Sequence, residues 1–237
     1  MCFSATASFS AGVVLAIIGV ATFKKVKHSS QIMFAAIPLI FAVQQSAEGV
    51  LWLSLPNPAY LATQVSFTYI FLFFAQVVWP IWVPVAILLL EEEAGRKRMG
   101  RYLVAAGLIV GVYFAWCLIK YPVKADIVGY HIAYKLDFPP SLRKYGIVLY
   151  ALATVVSPFF SPIKRIWMLG LAILISYIIS AMFYEHYILS VWCFFASIIS
   201  IAVYAIMTEM DRNYTAGKSL YAAPMPVFKV QKLKNKK

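Results

Sequence analysis

Apolar positions along this chain run together in long blocks, separated by short charged or proline-marked breaks. A helix needs about 20 mostly apolar residues to cross a hydrocarbon core of about 30 Å. Seven blocks meet that demand, some barely: about 4–23, 31–53, 65–90, 102–119, 141–160, 166–184 and 187–207. KKVKH closes the first, PNP the second and EEEAGRKR the third. Pro158 and Pro162 flank the end of the fifth, and only Glu185 and His186 separate the last two, a tight helical hairpin. The pattern predicts an all-α membrane protein, a seven-transmembrane-helix bundle over residues 1–210, with a basic, disordered tail over 211–237.

One stretch has a different period. Between about 123 and 138, Val128, Tyr130, Ile132, Tyr134 and Leu136 alternate with Ile127, Gly129, His131, Ala133 and Lys135. A period of two rich in Tyr and Ile predicts an extended strand or small hairpin, with Gly129 at a bulge or bend. Such an element would lie over the outer mouth of the bundle, its apolar face on helix ends and its other face carrying His131. A lid over a cavity and plain loop packing are both open readings.

Composition strengthens the membrane reading. The chain is 62% hydrophobic and 13% charged over 237 residues, with mean hydropathy +0.80. Soluble domains hold roughly 25% charged residues. The net charge of +12 would suit nucleic acid, but its placement argues otherwise. Of the Lys and Arg residues, 16 fall in the first, third and fifth loops and after Met207, and 5 in the fourth loop. The positive-inside rule then sets the N-terminus outside and the C-terminus in the cytoplasm. The lipid bilayer is the expected partner, the VFKVQKLKNKK tail a contact for anionic lipid, and nucleic acid is not expected. The first block has its positive charges after it, so it reads as an anchor rather than a cleaved signal peptide.

Polar residues inside the blocks are the candidates for function, because each is costly in lipid. In AVQQSAEGVLW, residues Gln44, Gln45, Glu48 and Trp52 share an arc of about 100° on a helix, which should face the bundle interior. Glu48 lies in the outer half of its span and is the candidate cation site, proton exchanger or catalytic base; structural glue between helices is the alternative. Pro80 and Pro84 in AQVVWPIWVPV should kink the third span, with Gln76 just before the break as a ligand candidate. Ser190, Cys193, Ser197, Ser200 and Tyr204 form a small-residue seam suited to packing.

By this topology Cys2, Cys117, Cys193, His131, Glu185, His186 and Glu48 all collect on the outer side. Cys, His and Glu are ligands of zinc and copper, which makes Cys2, His131, Glu185, His186 and Cys193 the metal candidates. A disulfide from Cys2 to Cys193 or Cys117 and ordinary packing remain open beside that. Two seven-span families fit poorly. No Lys stands in the last span to carry retinal, so no retinal is expected. The HxxxH of ceramidase-type zinc hydrolases is absent.

MCFSATASF, FAVQQSAEGVLWL, GYHIAY and SVWCFFASIIS together resemble a family of bacterial multi-pass membrane proteins of unknown function that begin Met-Cys-Phe-Ser. The resemblance implies no activity. It implies that Cys2, Ser4, Gln44, Gln45, Glu48, Trp52, His131, Trp192 and Cys193 belong together. The expectation is an inner-membrane protein with an outward-facing polar pocket for a metal ion or small polar ligand, acting as a sensor or transporter. A metal-dependent hydrolase embedded in the membrane, with Glu48 as base, and a structural subunit are the alternatives.

Overall fold

A computed structural model describes residues 4–163, 165–183 and 195–217. Helix α1 (Ala5–Phe23) starts at Ser4, whose hydroxyl accepts the Ala7 N–H at 3.2 Å and caps the first turn. A short α2 (Ile32–Ala35) leads into α3 (Ile37–Ser54). Next come α4 (Leu61–Leu72), a π-helical segment (Phe73–Val78) and α5 (Trp79–Leu90), together one column. Helix α6 spans Ala94–Lys120, followed by strands β1 (Val123–Val128) and β2 (His131–Leu136). Helix α7 (Pro140–Ala151) passes through a second π-helical segment (Leu152–Val156) into a 3-10 turn (Ser157–Phe160). Helices α8 (Ile166–Phe183) and α9 (Ala196–Thr215) complete the described fold.

Four columns are long and apolar enough to cross a membrane: Ala5–Phe23, Ser29–Ser54, Pro58–Leu90 and Ala94–Lys120. Tyr145–Phe160 and Ile166–Ser180 are apolar but shorter. The seventh block, expected at 187–207, is described only from residue 195, so its first part lies outside the described residues. Its helix continues to Thr215 and carries Asp211 with it, where the tail was expected to begin. The fourth column likewise starts at Ala94 rather than near 102, because Glu91–Glu93 alone make the turn.

Ion pairs gather at one end of the molecule. Asp211 on α9 meets Lys25 and Lys27, just beyond α1, at 3.3 Å each. Hydrogen bonding from Lys25, helped by the charge of Lys27, holds the Asp211 carboxyl below the usual carboxylate range. Arg165, before α8, meets Glu209 at 2.9 Å. The C-terminal ends of α1 and α9 therefore share one end.

The hairpin occupies the opposite end. Its strands pair antiparallel with Val128 opposite His131, and Gly129 at φ 61 takes the first central position of the two-residue turn. The bend expected at Gly129 is thus a full reversal, and Tyr130 stands exposed in the turn. Pairs Val123–Leu136, Ala125–Tyr134 and Ile127–Ile132 share one face. That face packs on Leu51, Phe71 and Leu118, and Tyr134 stacks on Phe71 at 4.6 Å. The column Pro58–Leu90 has 33 residues, about 50 Å of helix. That length exceeds the thickness of a hydrocarbon core, about 30 Å, and α4 supplies the wall that the hairpin leans on.

Candidate functional site

Glu48, Gln45 and Gln44 are almost wholly excluded from the surface, at 0%, 1% and 1% exposure. They lie on α3 within little more than one turn, so burying this arc buries all three. The Gln45 Nε2 donates to Glu48 Oε2 at 2.9 Å, a bond the i, i+3 spacing allows. Gln44 points to another neighbour: Trp79 Nε1 donates to its Oε1 at 2.7 Å. Trp79 is in turn stacked on Phe41 of α3, with ring centroids 4.0 Å apart. Trp52, one turn beyond Glu48, joins the half-buried residues under the hairpin.

Gln44 and Trp79 line a cavity of about 40 Å³, together with Ala75, Tyr150 and Thr154, in a wall that is otherwise apolar (Ile37, Phe41, Val83, Leu169, Ile173 and Ile199). That volume holds one to a few water molecules. Ala75 and Thr154 belong to the two π-helical segments, and each segment ends two residues before a proline, Pro80 and Pro158. The backbone explains this. Trp79 N–H reaches back to the Phe74 carbonyl, skipping Ala75. In the π pattern the Ala75 carbonyl would take its bond from residue 80, but Pro80 has no N–H. The Tyr150 hydroxyl donates to that freed carbonyl instead, at 2.8 Å. Likewise Pro158 has no N–H for Ala153, whose carbonyl accepts from the Ser157 hydroxyl at 2.6 Å.

Gln76, the ligand candidate just before the break at Pro80, is buried in the first π segment. Its Oε1 has no hydrogen-bond partner among the described residues. The residue that serves the break is Tyr150, which sequence reasoning missed. The prolines were the available signal, yet nothing in the order of the chain says that residue 150 comes to rest beside residue 75. Replacing Tyr150 with Phe should leave a buried carbonyl unpaired and cost about 1–3 kcal/mol. Thermal unfolding in detergent measures it, and an unchanged midpoint would show that the bond is not needed.

Of the residues expected to collect on the outer side, Glu48, His131 and Cys117 lie among the described residues. Cys2, Glu185, His186 and Cys193 lie outside them, as does Trp192. Among the described residues no three His, Cys, Asp or Glu side chains come together as a metal site. Register sets His131 on the strand face opposite Ile132 and Tyr134, away from the face that packs on the helices. Partial burial pushes its imidazole below the ordinary histidine range. Cys117 is a free, buried thiol near the end of α6.

A family model described as a family of unknown function, DUF6629, matches residues 1–218. The chain belongs to the DUF6629 family. The match agrees with the resemblance to an uncharacterised family and covers all of the DUF6629 fold described above. It names neither a source organism nor a membrane. No curated protein and no solved structure matches the chain.

Proposed function

We propose that this chain is a seven-span protein of the bacterial inner membrane, N-terminus outside and C-terminus in the cytoplasm, with a buried polar site centred on Glu48. The site takes a small cation, proton or metal ion, or a comparably small polar ligand, in a sensor-like or transporter-like role. The observation that carries this reading is the burial of Glu48 beside Gln45 and Gln44, with Gln44 in the wall of a cavity bordered by two π-helical segments. A carboxylate inside a membrane is costly enough to be a functional site by default, and π segments concentrate at such sites. The choice of a small cation rests on the Glu48 carboxylate and its Gln45 partner, because the cavity beside Gln44 is lined mostly by apolar side chains and does not include Glu48. Beyond the site on the same helix, the hairpin packs Ile132 and Tyr134 against Leu51 and Phe71.

Labelling tests the proposal. A hydrophobic carbodiimide should modify Glu48 in the purified protein, and Glu48→Gln should abolish the adduct. Because the carbodiimide takes up the carboxyl proton as the adduct forms, raising the pH, or one of Na⁺, K⁺ or Zn²⁺ bound in place of that proton, should protect Glu48 in proportion to its occupancy. Labelling that none of these changes would overturn the cation site. A cysteine at Ala59 that reacts only from the cytoplasm would overturn the orientation.

A further inference from the structure

On the flank of the bundle α1 and α9 leave an open groove of about 620 Å³. It is lined along α1 by Val13, Ala16, Ile17 and Val20, with Lys24 and Lys25 just beyond that helix, and by Tyr204 from α9. Ile17 and Val20 are 64% and 52% exposed, so this stripe is not consumed by packing within the chain. From Val13, where the groove starts, to Lys24 the helix rises about 16 Å. That is about half of a 30 Å hydrocarbon core, the depth of one leaflet. The charge at the end is positive. Lys25 and Lys27 share the single carboxylate of Asp211, and exposed Lys24 makes no ion pair among the described residues.

We propose that this groove binds one anionic phospholipid. An acyl chain lies along α1 from Val13 to Val20, and the phosphate rests on Lys24 and Lys25. The inference rests on the membrane reading above. An apolar trough one leaflet deep that ends in surplus cations is complementary to that amphiphile. A partner helix would have to bury Lys24, and free phosphate would leave the apolar stripe uncovered. Basic pockets between helices on the cytoplasmic side hold such headgroups.

The full chain, purified in neutral detergent and stripped of lipid, is titrated with phosphatidylglycerol, phosphatidylcholine or inorganic phosphate. Native mass spectrometry reads retained lipid, and thermal unfolding reads stabilisation. Phosphatidylglycerol should be retained and should raise the midpoint, whereas phosphatidylcholine and phosphate should not. Lys24→Gln should weaken phosphatidylglycerol roughly five- to tenfold. Ala16→Leu fills the trough while keeping both lysines, and it should shrink the rise that phosphatidylglycerol produces above the variant's own lipid-free midpoint. Equal retention of the two lipids, a response to phosphate alone, or full binding by Ala16→Leu would overturn the proposal. Recovery of the chain from the aqueous fraction without detergent would remove the membrane reading as well. A chain that needs detergent but shows no headgroup preference removes only the lipid site.

Discussion

Gly107→Ala is expected to destabilise the bundle by about 3 kcal/mol or more, the upper end for an inserted methyl group. Pro84 has no N–H for the Pro80 carbonyl, which turns toward α6. A Cβ at Gly107 would overlap that carbonyl oxygen, and also crowds the Pro84 ring at 3.3 Å. Neither neighbour is a flexible side-chain tip, so relief requires the two helices to separate. The thermal midpoint and the monodisperse fraction in detergent both report the effect. Gly95→Ala is the control, because its nearest neighbour to an added Cβ is the end of Glu93 at 3.6 Å. Gly107→Ala with the midpoint of the control would refute the close contact.

The second large effect belongs to Trp79. Removing this 7% exposed ring in Trp79→Ala should cost about 3–5 kcal/mol, through lost contacts and an enlarged cavity. Lipid tails are as apolar as the interior, so within a membrane the cost comes from packing rather than from water exclusion. Trp79→Phe separates the two roles. It keeps the stack on Phe41 and removes the donor to Gln44, so about 1–3 kcal/mol should be lost. Adding Gln44→Leu removes the second polar partner and should recover part of that loss. If Trp79→Phe unfolds with the wild type, the bond to Gln44 contributes nothing to stability.

Much of the fold was legible because membrane-length apolar blocks leave few options. Four of the seven expected columns are found at spanning length, and the period-two stretch is a hairpin. The ends were less legible. The last helix runs to Thr215 because Asp211 finds Lys25 and Lys27, residues 186 and 184 positions earlier. The fourth column begins early because Arg96, Lys97 and Arg98 are compatible with a helix that has left the apolar zone. In the site, the arc of Gln44, Gln45 and Glu48 was readable from helical spacing. Its partner Trp79, the cavity and Tyr150 were not, since each belongs to another column.

By itself the sequence determined which segments are apolar for a membrane's thickness and which face of α3 is polar. It also located where prolines withhold backbone donors. These are local properties, set by composition and the 3.6-residue turn. Only the tertiary structure decided which groups answer them. Tyr150 bonds the carbonyl that Pro80 leaves open, Gly107 admits the carbonyl that Pro84 leaves open, and the indole of Trp79 takes Gln44. A missing donor is written at one position, but the group that compensates for it is chosen by packing. Packing depends on which columns become neighbours.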